Sequence, residues 1–143
     1  MAAAPAGLPP GPLPGTPTLD IRLHSPDPAV VVVRIDGCLD APSIPMFVAR
    51  VGQQLGRAPH VVLDLQEVPF LSVRGLQALL ELQHRAELLG TQLHIAAEHH
   101  TVRRPLRVSG LDRLIPVSAT SEWVIARHRR APLRARTPAA VGR

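Results

Sequence analysis

The chain has 143 residues, which is enough for one domain and too few for two ordinary ones. Aromatic residues make up only 2% of a composition that is 45% hydrophobic, so Val, Ile, Leu and Ala must form any core. The single cysteine, Cys38, excludes an internal disulfide and a cysteine-rich zinc site. The net charge of +5 is uneven, because residues 127–143 hold 6 of the 16 arginines and no acid, whereas the preceding chain has 10 arginines and 11 acids.

The two ends of the chain have compositions that cannot form a core. Of the first 17 residues, 13 are Ala, Gly or Pro, which predicts a disordered leader over residues 1–16. Spaced arginines and two prolines predict a disordered basic tail over residues 129–143, so the folded domain is expected at residues 17–128. The longest apolar run, Ala29–Val33, is far below the roughly 20 residues that span a bilayer. The N-terminus also lacks the pattern of a secretory signal, so we expect a cytoplasmic protein.

Within the domain, the hydrophobic pattern alternates between strands and helices. Period-two alternation and β-branched runs predict strands, while apolar residues at steps of three and four predict helices. In the first half the expected elements are a strand at Leu19–His24, a turn at Ser25–Pro28, a strand at Val30–Ile35, a helix at Ile44–Leu55 that stops at Gly56, a strand at Val61–Leu65 and a loop at Gln66–Leu71.

The second half continues this alternation with better-marked ends. A helix is predicted at Val73–Leu89, with Ser72 as its N-cap, one apolar stripe and Gly90 as its stop. There follow a strand at Thr91–Ala97, a short helix at Val102–Val108 limited by Pro105, a strand at Leu114–Val117 and a last helix that is capped by Ser121 and has Trp123, Val124 and Ala126 available to pack. This order predicts a single α/β domain, a mixed sheet of about four to five strands with about four helices packed on it.

Four segments share patterns with a known family. Val61–Leu76 is similar to an apolar-Leu-Asp-Leu strand followed by a V-x-F loop and a D-S-S-G-L helix start. Leu89–Ala96 is similar to a G-x-x-L pattern, Val108–Val117 to an S-G-L-D-x-apolar pattern, and Gly37–Asp40 to a G-x-L-D turn. Together, over about residues 19–127, they resemble the STAS family, the fold of bacterial anti-sigma factor antagonists.

The resemblance implies a non-enzymatic module for partner switching in transcription regulation. Family members of this type bind a kinase-type anti-sigma factor, which phosphorylates a Ser or Thr at the start of the second helix and so releases its partner. A helix N-terminus tolerates the added phosphate, whereas the partner is repelled by its charge. The partner-binding residues that the resemblance implies are Asp36, Gly37, Cys38, Leu39, Asp40, Ser72, Val73, Arg74 and Gly75.

The chain departs from the family pattern at the start of this helix. The family's D-S-S-G is replaced by Ser72-Val73-Arg74-Gly75, so the usual phosphoacceptor position holds Val73, which has no hydroxyl. Three alternatives follow: the antagonist is not switched, Ser72 accepts phosphate one residue early, or the regulation lies elsewhere. Ser72 is thus a phosphoacceptor candidate as well as a helix N-cap.

Other classes of function have weaker support in the sequence. Seven histidines are present, but none has paired-ligand spacing, so we expect no metal site. There is no catalytic signature or glycine-rich phosphate loop, so we expect no enzyme and no cofactor. One alternative is nucleic-acid association through the arginine-rich tail, with an affinity that falls as salt rises. Another is a module that binds a nucleotide or small anion at the N-terminus of the second helix.

Overall fold

The computed structural model describes residues 19–128, which form an alternating series of strands and helices. The predicted leader (residues 1–16) and tail (residues 129–143) lie outside the described residues. In chain order the elements are β1 (Leu19–Asp27), β2 (Val30–Gly37), α1 (Ile44–Gln54), β3 (His60–Glu67), α2 (Val73–Leu89), β4 (Gln92–Ala96), α3 (His100–Ser109), α4 (Leu111–Leu114), β5 (Val117–Ser118) and α5 (residues 121–128). The predicted α/β class is confirmed.

The strands form one mixed five-stranded sheet in the order β1-β2-β3-β4-β5. β1 and β2 are an antiparallel hairpin, whereas β2, β3, β4 and β5 run parallel. Parallel neighbours need a crossover connection, which α1 supplies between β2 and β3 and α2 supplies between β3 and β4. The segments that follow β2 and β3 therefore leave the sheet at the same edge.

One face of the sheet carries the larger core and is covered by helices. Side chains alternate between the two faces along each strand, so every second strand residue points to this core. Its buried side chains include Val33, Leu63 and Ile95 from the sheet and Phe47, Leu79, Leu82, Leu106 and Leu111 from α1, α2, α3 and α4. This cluster fixes the positions of α1 and α2 relative to the sheet.

The opposite face has a smaller apolar cluster and a polar remainder. The apolar part packs the sheet against α5 through Val30, Val32, Val62, Ala96, Val124 and Ile125. Beside it, the buried carboxylate of Asp64 pairs with Arg34 at 3.4 Å and accepts the backbone N–H of Gln66 at 3.1 Å. α5 is thus a separate layer on this face.

α2 has the predicted ends. The Ser72 hydroxyl accepts the backbone N–H of Gly75 at 3.0 Å, and Gly90 takes a left-handed φ of 74° at the C-cap. The core-facing stripe is buried at Ala78, Leu79, Leu82 and Ala86. Leu89, which the pattern placed in the stripe, is 55% exposed because the helix ends there. Within residues 19–128 no helix, α2 included, is long and apolar enough to cross a membrane.

A last strand is present, but its predicted bounds, Leu114–Val117, were wrong. Leu111–Leu114 forms the short helix α4, and the strand β5 is limited to Val117–Ser118. Gly110, with a left-handed φ of 82°, ends α3 and starts α4 directly. This turn places the buried Leu111 in the main core, which a continued extended chain would not do.

The predicted cap and packing residues of the last helix also need correction. Thr120, not Ser121, caps α5, since its hydroxyl oxygen accepts the N–H of Trp123 at 3.2 Å. The side chain of Ser121 is buried instead. Val124 packs as predicted, whereas Trp123 and Ala126 are exposed, because the inward face of α5 is formed by Ser121, Val124 and Ile125.

The first hairpin has a shorter turn than the sequence indicated. The turn was expected at Ser25–Pro28, but β1 continues to Asp27, and the Asp27 carboxylate accepts the N–H of Ala29 at 2.9 Å. This side-chain bond closes the turn in fewer residues.

The helix α3 is longer than predicted. It spans His100–Ser109, whereas the sequence indicated Val102–Val108.

Candidate functional site

The predicted partner-binding residues lie on two segments that the fold brings together. The first, Asp36–Asp40, includes the end of β2 and the residues after it, and the second, Phe70–Gly75, includes the start of α2; we call them the paired-loop surface. Leu39 and Leu71 pair as an isolated parallel bridge. The Ser72 hydroxyl donates to the Leu39 carbonyl, with 2.6 Å between the two oxygens. The two segments are therefore held as one surface.

Gly75 allows these segments to approach closely. A Cβ atom at this position would lie 2.9 Å from Leu71 Cδ1 and 3.2 Å from the Leu39 carbonyl oxygen. The first distance is a clash and the second presses on backbone, so a side chain here would push the two segments apart. Leu39 and Gly75 are buried, so they hold the surface together and leave contact with a partner to their neighbours.

Ser43 fixes the loop between β2 and α1. Its hydroxyl donates to the Cys38 carbonyl at 2.7 Å and accepts the N–H of Asp40 at 3.2 Å. The N–H groups of Ser43 and Ile44 both donate to the Asp40 carbonyl at 3.0 Å. Because these hydrogen bonds satisfy polar backbone groups within the loop, Cys38 and Asp40 are held half-buried in one conformation.

The side chains around the start of α2 are mainly apolar and exposed. Val73 is 70% exposed and Phe70 is 45% exposed, with the exposed Arg74 beside them. Met46, in the first turn of α1, is 42% exposed. The sequence analysis missed Phe70 and Met46; the signal for Met46 was its place one residue from the core position Phe47, which turns it away from the core face of the helix. Clustered apolar side chains left in water mark an interaction surface.

Asp36 belongs to an acidic row across the end of the sheet. In the strand register it lies beside Asp20 of β1 and Glu67 of β3, and all three are exposed. Arg22 pairs with Asp20 at 3.0 Å, and the repulsion between the adjacent Asp36 and Glu67 favours a further basic group beside them. The charged groups near the apolar patch thus have both signs, an arginine on α2 and acids on the sheet.

The sequence matches the family model for the STAS domain over residues 22–123, which is most of the chain. The chain belongs to the STAS domain family. The matched span includes the whole paired-loop surface and all five strands in part or in full. No curated protein matches the sequence.

Solved structures of anti-sigma factor antagonists are closely similar to this STAS domain. One from Mycobacterium paratuberculosis has a TM-score of 0.71 and 25% identity, and the match covers 78% of this chain and 95% of that chain. Phosphorylated SpoIIAA from Bacillus has a TM-score of 0.60 and 20% identity, covering 76% and 98%. A putative antagonist from Thermotoga maritima has a TM-score of 0.66 and 17% identity, covering 76% and 94%. The last two are similar in fold alone.

In this STAS domain, Ser72→Ala is expected to lower the free energy of unfolding by about 1–2 kcal/mol. The substitution removes both the cap of α2 and the hydrogen bond to Leu39. Urea denaturation measures the change. Ser72→Thr is the matched control, because it keeps a hydroxyl and should recover most of the loss. A loss for Ser72→Ala below about 0.5 kcal/mol, the lower end for a helix cap, would contradict this role.

Three histidines that the sequence analysis did not connect lie together near the start of β3. We call His60, His94 and His128 the histidine cluster; their ligand nitrogens all lie within 4.8 Å of one another. Burial, with electrostatic repulsion from the other two rings, lowers the pKa of His94 to about 3. The strand register connects two of them, because Val62 pairs with His94, which puts His60 and His94 on one face of the sheet; their spacing along the chain gives no such signal.

Proposed function

We propose that this STAS domain is a cytoplasmic anti-sigma factor antagonist in a bacterial partner-switching pathway. It binds a kinase-type anti-sigma factor through the paired-loop surface and regulates transcription by that binding, without catalysing a reaction. The observation that supports this most is the exposed apolar pair Phe70 and Val73 at the start of α2, a segment that the Ser72–Leu39 hydrogen bond holds to the loop after β2. The close similarity to the mycobacterial antagonist supports the class of partner.

The paired-loop surface has the composition of a protein interface. Interfaces derive most of their energy from a few aromatic, apolar and arginine side chains surrounded by polar groups. Here Phe70, Val73 and Arg74 supply such a centre, and Asp36 and Asp40 supply polar neighbours. The hydrogen bonds of Ser43 and Ser72 keep both loops in place before binding, which reduces the entropy lost when a partner docks.

Binding at this surface is not released by phosphorylation at the start of α2. Val73 has no hydroxyl, so no phosphoester can form at the usual position. The hydroxyl of Ser72 donates to the Leu39 carbonyl and accepts the Gly75 N–H. Phosphorylation of Ser72 would first require its hydroxyl to leave both of these partners, so Ser72 is a poor phosphoacceptor in the folded domain. The antagonist therefore stays competent to bind, and control lies with its partner or its abundance.

The two alternative functions have no support in the described residues. The arginine-rich tail, which carries the nucleic-acid alternative, lies outside them. The anion alternative needs free amide donors at the start of α2, and one of the donors there, the Gly75 N–H, already donates to Ser72. Deletion of residues 129–143 separates a tail-driven role from a role of the folded domain.

Arg74→Glu is expected to weaken the affinity for the anti-sigma factor by about 10- to 100-fold, because reversing the charge of an interface arginine costs about 1.5–3 kcal/mol. The partner is first captured on the full-length protein from a lysate of the source organism at moderate salt and identified by mass spectrometry. It is then purified and titrated by calorimetry. The matched control is Arg57→Glu, the same change at an exposed arginine in the loop before β3, at the opposite edge of the sheet.

Two results would contradict the proposed function. Equal affinities for Arg74→Glu and Arg57→Glu would exclude the paired-loop surface as the docking site. Capture of nucleic-acid-binding proteins alone, lost when residues 129–143 are deleted, would exclude the antagonist role and favour the tail.

A further inference from the structure

We propose that the histidine cluster, His60, His94 and His128, binds a divalent transition-metal ion of the zinc class. The three side chains come from β3, β4 and α5 and converge on one face of the sheet. The cluster lies near the start of β3, whereas the paired-loop surface follows the end of β3. The inference therefore does not rest on the proposed function.

Two ligand atoms already have the spacing of a metal site. His60 Nδ1 and His94 Nε2 are 3.2 Å apart. Zinc–nitrogen bonds of about 2.0–2.1 Å place neighbouring nitrogens of a tetrahedron about 3.3 Å apart. Without metal, this contact is a hydrogen bond in which one ring donates an N–H. A tautomer shift moves that proton to the other nitrogen of the same ring, which frees both lone pairs for an ion.

His128 supplies the third donor from α5. Its ring stacks on that of His60, with 3.9 Å between the ring centroids and 25° between the planes, so it must rotate to aim a nitrogen at the ion. Both of these rings are half-buried, which leaves room for the rotation, while the buried ring of His94 fixes the inner ligand. Three imidazoles leave a fourth tetrahedral position open to solvent, which accepts water or an outside ligand.

The donor set selects the kind of ion. Burial lowers the pKa of all three histidines, so the rings are neutral at neutral pH, as metal ligation requires. Imidazole nitrogens suit zinc, copper, nickel and iron, whereas calcium and magnesium require oxygen ligands. The charged neighbour that acts on the cluster is Arg127, whose guanidinium lies 5.3 Å from the centroid of the Trp123 ring on the exposed side of α5. That arginine reduces the affinity for any cation without removing a ligand.

A bound ion would tie α5 to the sheet. Apart from the cluster, α5 packs there mainly through Val124 and Ile125. An ion that binds three elements of the folded chain stabilises the folded state in proportion to its occupancy. The sequence-based expectation of no metal site considered spacing along the chain, and these ligands are brought together only by strand register and helix docking.

The test uses the full-length protein after treatment with a chelator. Zn(II) is titrated while thermal unfolding is followed, and Co(II) is titrated while visible absorption is recorded. We expect one ion per chain, the absorption bands of tetrahedral Co(II), and a Tm increase of about 5–10 °C when zinc is a hundredfold above its Kd. His60→Gln and His128→Gln change the half-buried ligands and spare the core. Each should weaken zinc binding by more than about tenfold, because the loss of a residue that only hydrogen-bonds to a metal ligand already costs about tenfold or more.

The matched control is the double variant His99→Gln/His100→Gln, which removes an exposed histidine pair outside the cluster. It should bind zinc as the unaltered protein does. If this variant loses binding while His60→Gln and His128→Gln retain it, the ion lies on that surface pair and the proposal is wrong. If zinc changes neither the Tm nor the Co(II) absorption of the unaltered protein, the cluster is a stacked, hydrogen-bonded packing of neutral rings and no metal site.

Discussion

Replacing Phe47 with alanine is expected to lower the free energy of unfolding by about 3–5 kcal/mol, a large share of the stability of a small domain. Phe47 is fully buried, in the cluster where α1 and α2 pack on the sheet. The composition explains the size of the effect, because the other side chains of this core cluster are aliphatic and none can fill the volume of a lost ring. Urea denaturation followed by circular dichroism measures the change, with the slope against urea as a check on two-state unfolding.

Phe70→Ala is the matched control for Phe47→Ala, since Phe47 and Phe70 are the two phenylalanines of the chain. Phe70 is 45% exposed, so its loss should change the free energy of unfolding by less than about 1 kcal/mol. The same substitution should weaken partner binding, whereas a destabilised but folded Phe47→Ala protein should still bind. Equal destabilisation by the two variants would contradict the assignment of one ring to the core and the other to the paired-loop surface.

Local signals made α2 predictable from the sequence to its terminal residues. A hydroxyl side chain at Ser72 and a glycine at Gly90 can each satisfy the unpaired groups of a helix end by themselves. The apolar residues between them recur at steps of three and four, so a continuous helix buries them together on one face. The structure of such a segment depends on residues only a few positions apart, so it can be predicted from the sequence without knowing the tertiary fold.

The C-terminal part of the domain was harder to predict because its elements are short. Val117–Ser118 is a strand only through its pairing with β4, so no property of two residues could reveal it. Leu111–Leu114 is a single helical turn whose placement depends on the left-handed Gly110 and on the core that receives Leu111. Periodicity needs several turns to be measurable, and neither element supplies them.

The candidate site shows the same division between local and tertiary information. The resemblance placed Asp36–Asp40 and Ser72–Gly75 in one surface, and the fold brings them together. It did not show that Leu39 and Gly75 are buried supports, or that Phe70 and Met46 are exposed, because burial depends on how the helices dock on the sheet. The histidine cluster was missed for a related reason. A register shift of one residue would have sent His94 to the other face, and the spacing of the histidines along the chain does not show the register.

Val73→Ser is expected to introduce a phosphorylation switch at a position where the natural chain has no hydroxyl. Position 73 is the first residue of α2 and is 70% exposed, so a serine hydroxyl there meets solvent and the bound kinase without disturbing the core. Incubation with the captured anti-sigma factor and Mg-ATP should add one phosphate to this variant and none to the unaltered protein, as measured by intact mass. The phosphate brings about −1.5 to −2 charges into the centre of an apolar interface. Because a desolvated or repelled charge costs several kcal/mol, affinity should fall by roughly 100-fold or more.

Val73→Ala separates the effect of losing the valine methyl groups from the effect of gaining a hydroxyl. It removes the same methyl groups as serine and adds no hydroxyl, so it should bind with a modest loss and gain no phosphate. Unphosphorylated Val73→Ser should bind like Val73→Ala, since the two differ only by one exposed oxygen. Phosphate on Ser72 of the unaltered protein would show that the bond to Leu39 opens readily and that binding is switched one residue early. A partner that phosphorylates none of the three proteins would contradict a kinase-type anti-sigma factor, even if it binds them all.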